Sequence, residues 1–136
     1  MLLTTAAVVP PEQCECQLVQ RQVQIISSLS KHEHIVAYLG SYRRADCLSI
    51  VMEYAEIGSL KEALQAQTAR SQSFATDTVV LWLSQLASAL MHVHAHRVLH
   101  RDIKPDNIFM AEAPLTARLG PGGRHVKLGP ALLLKS

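Results

Sequence analysis

Basic clusters, paired cysteines and long unbroken apolar runs are scarce in this 136-residue chain, and each shortage excludes something. Thirteen Lys and Arg stand against 11 Asp and Glu, a formal net charge of +2 with no Lys/Arg cluster, so no nucleic-acid partner is expected. Three cysteines, an odd number, give no disulfide framework and fit a reducing compartment, so a cytoplasmic location is expected. No apolar run reaches membrane-spanning length, and no membrane partner is expected. Met1 to Val9 is mildly apolar but lacks the basic start and small-residue cleavage site of a signal peptide. Lysine is absent before Lys31. Hydrophobic residues are plentiful at 49%, which argues against disorder across the chain, and the length suits one domain with a real core. There is no internal repeat.

Periodicity sets the expected order of elements. Leu18, Gln22, Ile25 and Leu29 recur at steps of three and four, which predicts a helix from Glu12 to about Ser30. After a polar break, Ile35–Tyr42 and Cys47–Tyr54 read as strands around a turn at residues 43–46. They form an antiparallel hairpin with Leu48, Ile50, Met52 and Tyr54 on one face. Ser59 is the expected N-cap of a short helix from Leu60 to about Gln67. Thr76 or Asp77 is the expected cap of the longest helix, which ends near His96 and buries Val79, Leu83, Leu86, Leu90 and Val93. Trp82 and Phe74 are core or interface anchors. Ile108–Met110 is a short strand, residues 111–124 an Ala-, Pro- and Gly-rich loop, and His125–Leu128 a returning strand. Residues 1–11 read as a strand remnant or frayed tail, and the stretch after Gly129 has no pattern.

Between the long helix and the short strand lies His100-Arg101-Asp102-Ile103-Lys104-Pro105-Asp106-Asn107. This H-R-D-x-K-x-x-N run resembles the catalytic loop of the serine/threonine protein kinases. Together with Ile50-Val51-Met52-Glu53-Tyr54, Gly58-Ser59-Leu60 and the continuation to Phe109, it looks most like the NIMA-related kinases. The resemblance covers roughly residues 12–128. It implies an α+β, protein-kinase-like fold in truncated form: the helix beside the nucleotide site, a two-strand hairpin, the hinge, the first helices of the larger lobe and the catalytic loop. The corresponding division is a tail at residues 1–11, a partial kinase domain at 12–129 and an unpatterned tail at 130–136.

The same resemblance implies an activity, the transfer of phosphate from ATP to Ser or Thr hydroxyls of a protein partner, with ATP and Mg2+ as cofactors. Asp102 would orient the acceptor hydroxyl and take its proton, Lys104 would lie near the transferred group, and Asn107 would offer an amide oxygen to the metal. His100 would pack inward and brace the loop. For ATP binding, Met52 would be the gatekeeper, and the Glu53 carbonyl and Ala55 backbone would bond the adenine edge. Phe109 would form the floor, and Ser59 would lie by the ribose. Without the resemblance, the hinge segment reads equally as a plain hairpin.

Three departures weaken the expected chemistry. The family has a phosphate-binding Lys on the strand before the first helix, where this chain has none, and a glycine loop that is likewise missing. Gln22 stands where the family has the partner Glu of that Lys, unless it is an ordinary surface residue. After His125-Val126-Lys127-Leu128-Gly129 the family continues Asp-Phe-Gly, whereas this chain continues Pro130-Ala131-Leu132, so the charged magnesium ligand is lost. A shifted reading frame or altered splice site would produce such a tail. The expectation is a chain impaired in phosphoryl transfer, as a fragment or pseudokinase. Its rival is a non-catalytic binding module that docks partners through the long-helix face or Leu132-Leu133-Leu134.

Two weaker constellations complete the reading. Cys14, Cys16, His32 and His34 suggest zinc, but the C-x-C and H-x-H spacings are not those of common fingers. His92, His94, His96 and His100 suggest a metal cluster, although His92 and His96 lie one helical turn apart with His94 facing away, as surface histidines also would.

Overall fold

Alternating apolar side chains and two long periodic runs make an α+β fold in the computed structural model, which describes residues 4–9, 17–29, 31–44, 47–112, 124–129 and 134–135. The central strand of the first sheet is Cys47–Glu53 (β3). It pairs antiparallel with Thr4–Val9 (β1) on one edge and Tyr38–Arg44 (β2) on the other. The register sets Thr5 against Met52 and Ala7 against Ile50 on one side, and Ser41 against Ile50 on the other. Both Ser49 and Ile50 are buried and Tyr54 is exposed, so the strict one-face alternation expected for β3 does not hold. A central strand is covered on both sides in a way an edge strand is not.

The second expected strand begins later than its sequence suggests, at Tyr38 rather than Ile35. Ile35 and Val36 are instead buried against the second sheet. The Val36 N–H donates to the Leu128 carbonyl (3.0 Å), and the Leu128 N–H donates to the His34 carbonyl (2.8 Å). Apolar burial there outweighs three more residues of hairpin. The second sheet is Gly58–Ser59 (β4), Ile108–Glu112 (β6) and Arg124–Leu128 (β7), antiparallel with β6 in the middle. Val98–Leu99 (β5) pairs with Leu134–Lys135 (β8), in the stretch that shows no sequence pattern.

Helix α1, Gln17–Leu29, buries Ile25 and Leu29, and Gln22 is half-buried. Helix α2, Leu60–Ala69, begins with the expected cap. The Glu62 N–H donates to the Ser59 hydroxyl (3.3 Å), and the Ser59 N–H donates to the Glu62 carboxylate (2.6 Å), a reciprocal capping box. Gly58 leads into it at φ +93°, a left-handed backbone that favours glycine, and a Cβ there would also push the Glu62 carboxylate aside.

Helix α3, Thr76–Ala95, departs most from expectation. Its N-cap is Ala75, with no side-chain cap, and Thr76 lies inside the helix. Its buried residues are Trp82, Ala89 and Val93, while Leu86 and Leu90 are half-buried and Val79, Val80, Leu83 and Met91 are exposed. The helix is apolar nearly all round, so periodicity alone cannot choose the face. Two local contacts choose it. The Phe74 ring meets Trp82 edge-on at 4.8 Å, and Gln85 Oε1 accepts the Val126 N–H (3.0 Å), tying the helix to β7. By length and composition α3 could also span a membrane, against the expectation that no run reaches that length. The core below the site combines Leu29, Val93, Val98, Met110, Val126 and Leu128, each at most 2% exposed. Each such side chain contributes roughly 1.5–3 kcal/mol of burial.

At the back of this core, histidines from the α1–β2 connection meet the end of α3. The His32 ring lies 5.0 Å from His92, and His92 lies 4.4 Å from His96. His32 Nδ1 accepts the His34 N–H and Nε2 faces the Ser88 hydroxyl (3.1 Å), which makes His32 neutral. Burial lowers the pKa of His32 and of His92 below the ordinary value. For His32 the neighbouring His34 adds to this and Glu33 opposes it, and for His92 both His96 and His32 add to it. Among the described residues no three His, Cys, Asp or Glu side chains are placed to hold a metal ion. Cys14 and Cys16 lie outside the described residues.

Candidate active site

The segment His100–Asn107 leaves β5, passes through a short 3-10 turn at Pro105–Asn107 and enters β6. His100 is buried, its Nδ1 accepting the Asp102 N–H (3.3 Å) and its Nε2 donating to the Gly129 carbonyl (2.9 Å). Those partners fix the tautomer with hydrogen on Nε2. Arg101 takes φ +62°, a left-handed conformation that costs a side-chain-bearing residue roughly 1–2 kcal/mol. The strain lies immediately before Asp102 and turns the chain there.

Asp102, Lys104 and Asn107 converge. Asn107 Nδ2 donates to the Asp102 backbone carbonyl (2.8 Å) and to its Oδ2 (2.7 Å), leaving the Asn107 amide oxygen to face elsewhere. Lys104 Nζ lies 3.2 Å from the same Oδ2. The hydrogen bond from Lys104, then that from Asn107, holds the Asp102 carboxyl below the usual carboxylate range, so it is ionised at neutral pH. Next to it, Asp106 pairs with Lys61 of α2 at 2.7 Å, which lowers the Asp106 pKa and raises that of Lys61.

Between the two sheets opens a cleft of about 580 Å³, within the usual range for small-molecule sites. Met52, Glu53, Ala55, Ser59 and Phe109 all line it, as does Asn107, so the five residues assigned to ATP binding share one cavity. Asp102 and Lys104 are not among its lining residues and reach it through Asn107. Val36 completes an apolar wall with Met52 and Phe109.

Two residues of the His125–Gly129 run have a part in this geometry to which sequence reasoning assigned no role. Lys127 on β7 forms a short ion pair with Glu53 Oε1 (2.5 Å), and Glu53 Oε2 accepts the Ala37 N–H (3.1 Å). The pair fastens the end of β3 to the second sheet, and its side chains are only 13% and 25% exposed. Gly129 donates its N–H to the Asn107 carbonyl (2.8 Å), and a Cβ there would lie 2.4 Å from the Phe109 ring. Alternating apolar residues before Gly129 gave the strand, but only the fold shows what its bareness allows.

A model of the protein kinase domain matches residues 7–124. The chain belongs to the protein kinase family. Its relatives are serine/threonine kinases, mostly NIMA-related. It is 36% identical to mouse serine/threonine-protein kinase Nek5 over 110 residues, 81% of this chain and 17% of that protein. It is 38% identical to mouse Nek1 over 109 residues, 80% of this chain and 9% of that protein. Human serine/threonine-protein kinase ULK1 is 35% identical over 111 residues, 82% of this chain and 10% of that protein. The chain thus spans less than a fifth of the length of each of these relatives.

Kinases of this family use ATP and magnesium, and the two halves of that pair fit these residues unequally. The adenosine end suits a cleft with an apolar wall, a polar rim and adequate volume. Magnesium prefers carboxylate and water oxygens. Here the Asn107 amide oxygen is neutral, Asp102 is bonded to Lys104 and Asn107, and Pro130 follows Gly129. The described residues do not form a magnesium site.

Proposed function

We propose that this chain is a serine/threonine-kinase-type domain that keeps the adenosine half of the ATP cleft but has lost, or nearly lost, phosphoryl transfer to protein Ser and Thr hydroxyls. The observation that carries this reading is an asymmetry. Asp102, Lys104 and Asn107 form a bonded cluster beside the cleft, yet among the described residues lining the cleft there is no Lys or Arg to neutralise phosphate charge. Strand β1, which edges β3 beside the hinge, reads Thr-Thr-Ala-Ala-Val-Val without a lysine, Gln22 replaces the expected Glu on α1, and Pro130 replaces the expected Asp. Groups that act together in transfer are not additive, and losing several removes nearly all of the rate. In this reading Asp102 orients a hydroxyl near the cleft mouth, Lys104 keeps it ionised, and Asn107 fixes its rotamer. We place the protein in the cytoplasm with a protein partner.

The test is phosphate transfer from ATP to a general acceptor protein by the purified chain and by Asp102→Ala. The expected result is that both stay at background. Incorporation that Asp102→Ala abolishes would contradict the proposal.

A second reading, a binding module without ligand, is favoured by one observation: α3 exposes Val80, Leu83 and Met91 at 58%, 60% and 72%. It differs on small molecules, since such a module has no use for the cleft and binds no adenosine.

A further inference from the structure

The charged side chains among the described lining residues of the cleft are all acidic. Glu53, Glu62 and Asp106 line it, and among the described lining residues there is no Lys or Arg. The nearby lysines are already committed. Lys61 is paired with Asp106, Lys127 with Glu53, and Lys104 with Asp102. The start of α2 would ordinarily offer backbone N–H groups to an anion. Here the Glu62 carboxylate already takes the Ser59 N–H and hydroxyl, so that end is closed by a carboxylate of the protein's own. Across the cavity the wall is apolar, lined by Val36, Met52 and Phe109.

We propose that this cleft takes an uncharged, flat heterocycle with a hydroxyl-bearing arm, a nucleoside-type ligand, in preference to a nucleoside polyphosphate. The inference rests on the reading of this cleft as the adenosine half of a kinase site and goes beyond it by reversing the family's ligand preference. The ring packs against Val36, Met52 and Phe109, and the hydroxyl arm reaches the polar rim at Ser59 and Asp106. Hydroxyl groups donate well to carboxylates, whereas phosphate oxygens are repelled by them.

Calorimetric titration of the purified chain with adenosine, AMP and ATP, each with and without magnesium chloride, tests this. At about 50 mM salt adenosine is expected to bind at least about tenfold more tightly than ATP, with AMP between them and magnesium narrowing the gap without reversing it. At about 500 mM salt, where exposed charges are screened, the gap is expected to shrink to about threefold. ATP binding as tightly as adenosine, or more tightly, overturns this inference and leaves the family cleft standing. A gap that salt does not move also overturns it, because the discrimination is then not one of charge. Failure of all three ligands to bind overturns both the inference and the reading beneath it.

Discussion

The two walls of the cleft are held in different ways. The catalytic-loop side is welded to the core by directional bonds. His100 and Asn107 both grip Gly129, Asn107 grips Asp102, and the strand that follows is fully buried at Met110. Among the described residues the hinge side is held by the Lys127–Glu53 ion pair, by the reciprocal bonds between Glu53 and Ala37, and by bonds from the Ile57 N–H to the Met110 carbonyl (3.3 Å) and from the Glu112 N–H to the Glu56 carboxylate (2.8 Å). The difference teaches that the loop's geometry is a product of folding energetics. The bonds that place Asp102 are the bonds that close β6 and β7 over the core, so the loop persists whether or not phosphate is transferred. The hinge wall is tuned by electrostatics and is the easier side to loosen.

The sharpest way to break the welded side is Gly129→Ala. The new methyl would press on the Phe109 ring and lie 3.1 Å from the Asn107 carbonyl, with backbone on one side and a floor residue on the other. A loss of about 3 kcal/mol is expected in a urea melt, together with loss of adenosine binding. On the hinge side, Lys127→Met leaves a carboxylate with one backbone partner. Because that carboxylate is a quarter exposed, the expected loss is about 2 kcal/mol, below the range for fully buried pairs. The double variant Glu53→Gln with Lys127→Met should recover about half of it, and a chevron or equilibrium melt reads the coupling. Recovery of nothing would mean that Lys127 acts through packing alone.

Ser59→Ala tests the junction between the two walls. It removes one half of the α2 capping box and should cost about 1 kcal/mol, visible as a lower midpoint with an unchanged denaturant slope. The smallest expected effect lies away from the cleft. His32 and His92 are less basic folded than unfolded, so the unfolded chain binds more protons below the ordinary histidine value. Their contribution is therefore complete above about pH 6.5 and declines as pH falls below it, through their folded values. Melts at stepped pH should show this decline, and His92→Phe should flatten it, whereas Glu33 opposes it only at His32.

Much of this arrangement is legible in the sequence, for identifiable reasons. The loop motif fixes residue types at fixed offsets, and Ser59 with Glu62 three residues on spells a cap, so these places needed no tertiary information. The five hinge and floor residues, which line one cavity, were placed by the family resemblance alone, since their segment reads equally as a plain hairpin. The face of α3 was readable only in its second half, where Leu86, Leu90 and Val93 pack on the core as expected; Val79 and Leu83 are exposed, because Phe74 meeting Trp82 and Gln85 reaching Val126 choose the face of the first half. The start of β2 was not readable either, because Ile35 and Val36 suit a hairpin strand and a core equally. Lys127 and Gly129 lie in a run the resemblance covers, but their roles come from a partner 74 residues away in Glu53 and from a ring that packs without leaving room for a methyl.

Hydrogen exchange with and without adenosine tests the central claim most directly. The account predicts that the ligand slows exchange together at the amides of Glu53 to Ala55 on the hinge wall and of Asn107 to Phe109 on the floor, by about fivefold or more. Unchanged exchange at both, or protection confined to α3, would contradict it.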